Sequence, residues 1–246
     1  MKSLFAAALA ALALAGCSNQ GNGGNTTAAA TAPVAAKPAP AGQSWTDTVV
    51  KTAEGYRVGN PDAPVKVAEY GSRLCPTCGA FAREGYEPLM KNYVNTGKVS
   101  LEFREFLVHG APDLPPSLLG NCVPPATFFP LLEAMYANQQ GFNDKLIAAP
   151  AAVQDRLKTA KPVEAVGILA DTMGLVDFVK QRGLPEAKAR ACLADMGQID
   201  RLTKQTQDRT NDQTVTGTPT FLINGKVAQG VITWGQLEPA LKAAGA

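Results

Sequence analysis

"VKVAEYGSRLCPTCGAF", Val65 to Phe81, passes from a β-branched, apolar run into a segment opened by cysteine and proline. Val65 to Ser72 reads as a strand covered on both faces. Pro76 suits the first position of a helix, where its missing N–H is not needed. Cys75 then stands at the helix N-cap, its sulfur expected to face the free N–H groups of Thr77 and Cys78 and the positive end of the helix dipole, both of which favour a thiolate. Cysteines so placed have pKa values lowered from about 8.5 to between about 3.5 and 7.5. Cys75 is therefore the expected nucleophile. Cys78, one turn further in, can close a short-loop disulfide with it or attack a mixed disulfide formed there, and reads as the resolving thiol. An acidic Cys75 is a good leaving group and stabilises the reduced pair, which argues for a disulfide donor. Two other readings weigh less. A purely structural bridge would be strained and hold little chain together, and a zinc half-site would need Cys122, Cys192 or His109, none of which has a second short spacing.

Outward from this stretch, the helix is expected to run to about Asn95, where Thr96-Gly97 stops it, and Lys98 to Val108 alternates as another strand. From about 111 to 212 apolar residues recur at helical spacing, with Phe128, Phe129 and Met135 as core on one helix. Strand character returns in "TPTFLING" (Thr218 to Gly225) and "KVAQGVI", joined by an Asn224-Gly225 turn, and Gln236 to Ala244 is a last amphipathic helix. Upstream, Trp45 to Val50 reads as a first strand and Gly59 to Pro64 as a turn cluster. His109, in "LVHGAPDLPPS", reads as a loop residue rather than a catalytic base. The class is α/β with a large helical block.

The 246 residues carry a formal charge of +2, so nothing electrostatic points to nucleic acid or an acidic polymer. "MKSLFAAALAALALAGCSNQ" has a basic Lys2, an apolar run from Leu4 to Ala15 and small residues before Cys17, the layout of an export signal. A helix of about a dozen residues rises about 18 Å, too short for a bilayer core of about 30 Å. Leu14-Ala15-Gly16-Cys17 resembles the lipobox of bacterial lipoproteins, which implies cleavage after residue 16 and acylation of Cys17. Export in either case implies a compartment where disulfides persist. Residues 17–44 hold almost no large apolar side chain and are expected to be a disordered tether, spanning roughly 30 Å. Residues 45–246 form the folded domain.

"VAEYGSRLCPTCGAF" together with "GTPTFLING" resembles the DsbA family of exported thiol-disulfide oxidoreductases, over roughly Gly55 to Ala246. The resemblance implies a thioredoxin-like fold with a large all-helical insertion, here about 111–212. It implies a cis-proline loop against the disulfide, Thr218-Pro219, whose backbone pairs with an extended substrate. It also implies an acidic residue beneath the site, here Glu69, whose desolvated carboxylate could take the proton that Cys78 must lose. Pro76 and Thr77 tune the pair. The best-known oxidases of the family carry histidine where this chain has Thr77, so Cys75 is expected to be less acidic and the pair less oxidising, between about −270 and −120 mV. With Cys17 acylated and Cys75 paired with Cys78, Cys122 and Cys192 remain, and relatives with a second disulfide in the helical region favour a structural bond between them. Closing about 70 residues, it would contribute roughly 4 kcal/mol.

The expected protein is thus a lipid-anchored, exported monomer, facing the periplasm or cell exterior, that oxidises the thiols of folding exported proteins. By the resemblance it is itself reoxidised by a membrane-embedded, quinone-linked thiol oxidase. No tightly bound cofactor, metal or nucleic acid is expected. A reductase or isomerase, or a non-catalytic adaptor lipoprotein holding a partner in the same groove, are the alternatives.

Overall fold

A computed structural model describes residues 32–246; the signal segment, Cys17 and the first half of the expected tether lie outside them. Six strands form one mixed sheet in the order β1-β2-β4-β3-β5-β6: β1 (Val49–Lys51), β2 (Tyr56–Gly59), β3 (Val65–Gly71), β4 (Val99–Glu105), β5 (Thr220–Ile223) and β6 (Lys226–Val227). β3 and β4 are parallel, joined through α1 (Pro76–Leu89), whose last turn continues as a π-helical Met90–Val94. The other neighbours are antiparallel. Asn224 and Gly225 both have positive φ (51° and 80°), the backbone that a tight β5–β6 turn requires. α9 (Trp234–Ala243) closes the chain.

Between β4 and β5 lies the helical insertion: α2 (Leu114–Gly120), α3 (Pro125–Ile147), α4 (Ala151–Thr159), α5 (Pro162–Met173), α6 (Leu175–Lys180), α7 (Glu186–Leu193) and α8 (Met196–Asn211). α3 holds the two halves together because it is apolar on two sides. Phe128, Phe129, Leu132 and Tyr136 join the core under the sheet, whereas Leu131, Met135 and Phe142 join the core of the insertion. Cys122, just after α2, is bridged to Cys192 on α7, with Cα atoms 6.1 Å apart. Among the described residues no helix is long and apolar enough to cross a membrane.

Two local expectations change, and one strand, β2, was not expected. Trp45–Asp47 is a 3-10 turn, not strand: Ser44 caps it by accepting the Thr46 N–H, and the Trp45 indole N–H donates to the Lys37 carbonyl at 2.6 Å, so only Val49–Lys51 is left for β1. β2 falls in "GYRVG", too short and too glycine-flanked to stand out, and exists because it pairs with β4. The end of the expected tether lies on the domain. Val34 N–H donates to the Gly245 carbonyl (2.7 Å) and Lys37 N–H to the Thr96 carbonyl (3.0 Å). Composition could not reveal this, since backbone groups rather than apolar side chains make the contacts.

Candidate functional site

The loop Ser72–Cys75 leaves the end of β3 and turns directly into α1, with Cys75 at the N-cap and Pro76 at the first helical position. Cys75 and Cys78 are an unbridged dithiol, both buried, at 6 % and 0 % exposure. The Cys75 pKa is lowered to about 5. The Cys78 thiol donating to its sulfur is the largest cause, working against burial, with further help from the Thr218 side chain, the Cys78 N–H and the Thr77 side chain. The Thr77 contribution differs from the sequence reading in two ways. It comes from the hydroxyl, 3.6 Å from Cys75 Sγ, and not from the backbone N–H; and although Thr77 has no charge, it still favours the thiolate. Cys78 is pushed well above the usual thiol range, chiefly by burial and then by its neighbours Cys75 and Glu69. The pair is strongly asymmetric.

Across the sulfur lies the loop before β5. The Thr218–Pro219 peptide is cis, and the Thr218 carbonyl oxygen is 3.3 Å from Cys75 Sγ. Beside this loop a cleft of about 410 Å³ opens, lined by Thr216, Thr218, Pro219 and the segment from Val227 to Ile232.

Glu69 sits on β3 in register between Phe103 of β4 and Phe221 of β5, fully buried. Tyr86 of α1 donates its hydroxyl to Glu69 Oε2 at 2.9 Å, while Oε1 has no partner. Burial dominates and raises the Glu69 pKa to about 8, against the Tyr86 hydrogen bond. A group that can be protonated or ionised near neutral pH therefore lies on the apolar side of the cysteine pair.

Two residues of α3 that the sequence reading passed over fix the active loop. Gln139 donates to the carbonyls of Arg73 (3.0 Å) and Cys75 (2.8 Å), and Asn143 to that of Leu74 (3.1 Å). Gly79 makes this possible, because a Cβ there would come within 2.5 Å of Gln139 Oε1. The available signal was a buried amide, Gln139, in line with the apolar stripe of α3. Among the described residues no group of three or more His, Cys, Asp or Glu side chains is arranged to hold a metal ion.

The thioredoxin family model matches residues 51–243. The crystal structure of a protein-disulfide isomerase from Novosphingobium aromaticivorans superposes with a TM-score of 0.73 at 30% identity, covering 78% of this chain and 98% of the other. Disulfide bond formation protein D of Bacillus subtilis is 21% identical over 188 residues, 75% of this chain and 74% of the relative. Wolbachia pipientis alpha-DsbA1 shares the fold, with a TM-score of 0.62 at 20% identity over 77% of this chain and 90% of that one. Two curated relatives from Rickettsia species are spanned over only 56% and 52% of their own length.

Proposed function

This chain belongs to the thioredoxin family, as a DsbA-like member with a helical insertion, and we propose that it is an exported oxidoreductase that introduces disulfides into folding proteins. The observation that carries the reading is the asymmetry of the pair: an acidic Cys75 under the Thr218 carbonyl and a buried, hard-to-ionise Cys78. In the oxidised enzyme a substrate thiolate attacks Cys75 Sγ, the Cys75–Cys78 bond breaks, and Cys78 leaves as a thiol with a proton from Glu69. A second substrate thiolate then attacks the substrate sulfur of the mixed disulfide and expels Cys75 as a stabilised thiolate. The substrate has lost two electrons and the pair has gained them. Reoxidation runs the other way: Cys75 attacks a disulfide of a membrane-embedded, quinone-linked oxidase, and Cys78, losing its proton to Glu69, releases that partner. The Thr218-Pro219 loop would hold an extended substrate by β-like pairing. Lipidation at Cys17 would tether the domain to a membrane on its outer face.

A glutathione titration is expected to place the potential above that of thioredoxin, about −270 mV; a value at or below it rejects the oxidase. A linked effect concerns stability. Cys75 is depressed from 9.0 to about 5 in the folded protein, so the reduced form gains stability that is complete above the unfolded value and is lost as pH falls through about 5. Denaturant unfolding is expected to show the reduced form losing about 3 kcal/mol relative to the oxidised form between pH 7 and pH 4. The Novosphingobium relative's description as an isomerase favours a second reading. Incubating the reduced enzyme with a scrambled-disulfide protein, and the oxidised enzyme with the same protein reduced, separates them: an oxidase is fast only in the second reaction.

A further inference from the structure

We propose that His109 is a tuning residue of the active thiol, a clamped imidazole that sets its positive charge toward the Cys75 thiolate from the loop after β4. The proposal rests on the reading of Cys75 as the reacting thiolate. It starts from the register of the two parallel strands. Gly71 at the end of β3 faces Glu105 at the end of β4, and Phe106 N–H donates to the Gly71 carbonyl at 2.9 Å. Cys75 is four residues beyond Gly71 and His109 four beyond Glu105, so both loops leave the same end of the sheet side by side.

The clamp is Asp113, a carboxylate with 0 % exposure. It accepts the backbone N–H of His109 at 2.7 Å, and His109 Nδ1 lies 3.1 Å from each of its oxygens. The Ser72 hydroxyl donates to Asp113 Oδ1 at 2.7 Å and itself accepts the Leu74 N–H, while the Ser72 carbonyl accepts the Cys75 N–H. One buried carboxylate therefore fixes both the imidazole and the loop that ends in the nucleophile. The imidazole itself is 43% exposed, so it can exchange its proton with water.

The charged groups that act on His109 are few. Asp113, by its hydrogen bond first, and the charge of Cys75 hold the imidazole protonated to higher pH than usual, against burial. Arg73 and Glu105 are paired with each other at 2.7 Å, and α8 meets this segment with two neutral groups, the Gln205 amide, which donates to the Glu105 carbonyl, and the Thr206 hydroxyl, which accepts the Leu107 N–H. Protonated, His109 cancels the charge of Asp113. Deprotonated, it leaves that negative charge uncancelled against the loop from Ser72 to Cys75, which Asp113 holds through the Ser72 hydroxyl, and this disfavours the thiolate. The tuning is thus graded by pH, strongest below the His109 pKa.

His109 is the chain's one histidine, so its proton NMR titration is unambiguous in the whole protein. Linkage requires that the two groups affect each other equally. The proton affinity of His109 is expected to be at least threefold higher in the reduced than in the oxidised enzyme. Reciprocally, His109→Gln is expected to raise the Cys75 proton affinity threefold or more, read from thiolate ultraviolet absorbance, and to shift the glutathione equilibrium by the same factor, about 14 mV. His109→Lys, which keeps the charge, is expected to restore both. A merely structural His109 would change stability and leave these titrations alone. Identical His109 titrations in the two redox forms, or Gln and Lys variants that behave alike, with Cys75 still acidic, overturn the inference and leave the function standing. An ordinary Cys75 pKa overturns both.

Discussion

Replacing Glu69 by glutamine is expected to make the protein more stable at pH 9, by about 3 kcal/mol, and slower in disulfide transfer. The carboxyl is buried between Phe103 and Phe221 and its pKa is raised from 4.5 to about 8, so the folded state holds a proton that the unfolded state has released. The sign is therefore opposite to that of a salt-bridged carboxylate. Stability is lost as pH rises from about 4.5, and the full cost is present above about 8. At about 1.4 kcal/mol per pKa unit that cost is about 5 kcal/mol, of which an unpaired amide N–H in the variant returns about 1 to 3. Denaturant unfolding should show the gain shrinking toward pH 4. In catalysis the variant cannot protonate the departing Cys78, and a loss on the order of 10²-fold is expected in stopped-flow transfer to a thiol already ionised at the pH used. The wild-type rate should fall as Glu69 ionises near pH 8, and the variant should lack that limb. A variant equal in rate and pH profile would remove Glu69 from the mechanism.

Arg73→Leu is expected to destabilise the protein by about 3 to 5 kcal/mol. Arg73 is fully buried beneath the active loop, its Nε 2.9 Å and Nη2 2.7 Å from Glu105 Oε1, with its guanidinium 5.1 Å from the Phe128 ring centroid. Ser117 of α2 donates to the other Glu105 oxygen at 2.8 Å, and Gly120 leaves the space that the guanidinium fills. Removing the cation strands a carboxylate in the seam between sheet and insertion, with one hydroxyl to satisfy it. Replacing both partners by apolar residues, as Arg73→Met with Glu105→Met, should recover most of the loss, because a buried ion pair has a large desolvation cost and an apolar substitute of similar size has none. If the single and double variants unfold at the same denaturant concentration, the stranded charge is not the cause.

Much of the site was legible because it is local. The strand, the cysteine pair, Pro76 and the start of α1 lie within 17 residues, and hydrophobic period and helix-start chemistry identify them without knowledge of the fold. The "TPTFLING" hairpin and the helical character of the insertion are local in the same sense. β2 was not legible, since four residues flanked by glycine become a strand only when β4 offers its edge. The role of Thr77 was half legible. Its lack of charge is plain in the sequence, but its hydroxyl reaches the sulfur only in the geometry of the first helical turn.

The pair of thiols, which of them caps the helix, and the strand-helix frame around them depend on neighbours a few residues apart and could be read directly from the chain. What surrounds the pair comes from the folded molecule alone. Gln139 reaches the Cys75 carbonyl across 64 residues, Glu69 is buried by strands brought beside it, Arg73 finds Glu105 across 32, and Thr218 meets the sulfur across 143. The ionisation of a thiol or a carboxyl depends on burial and on the donors within a few ångströms, and those are supplied by segments whose approach no local pattern encodes.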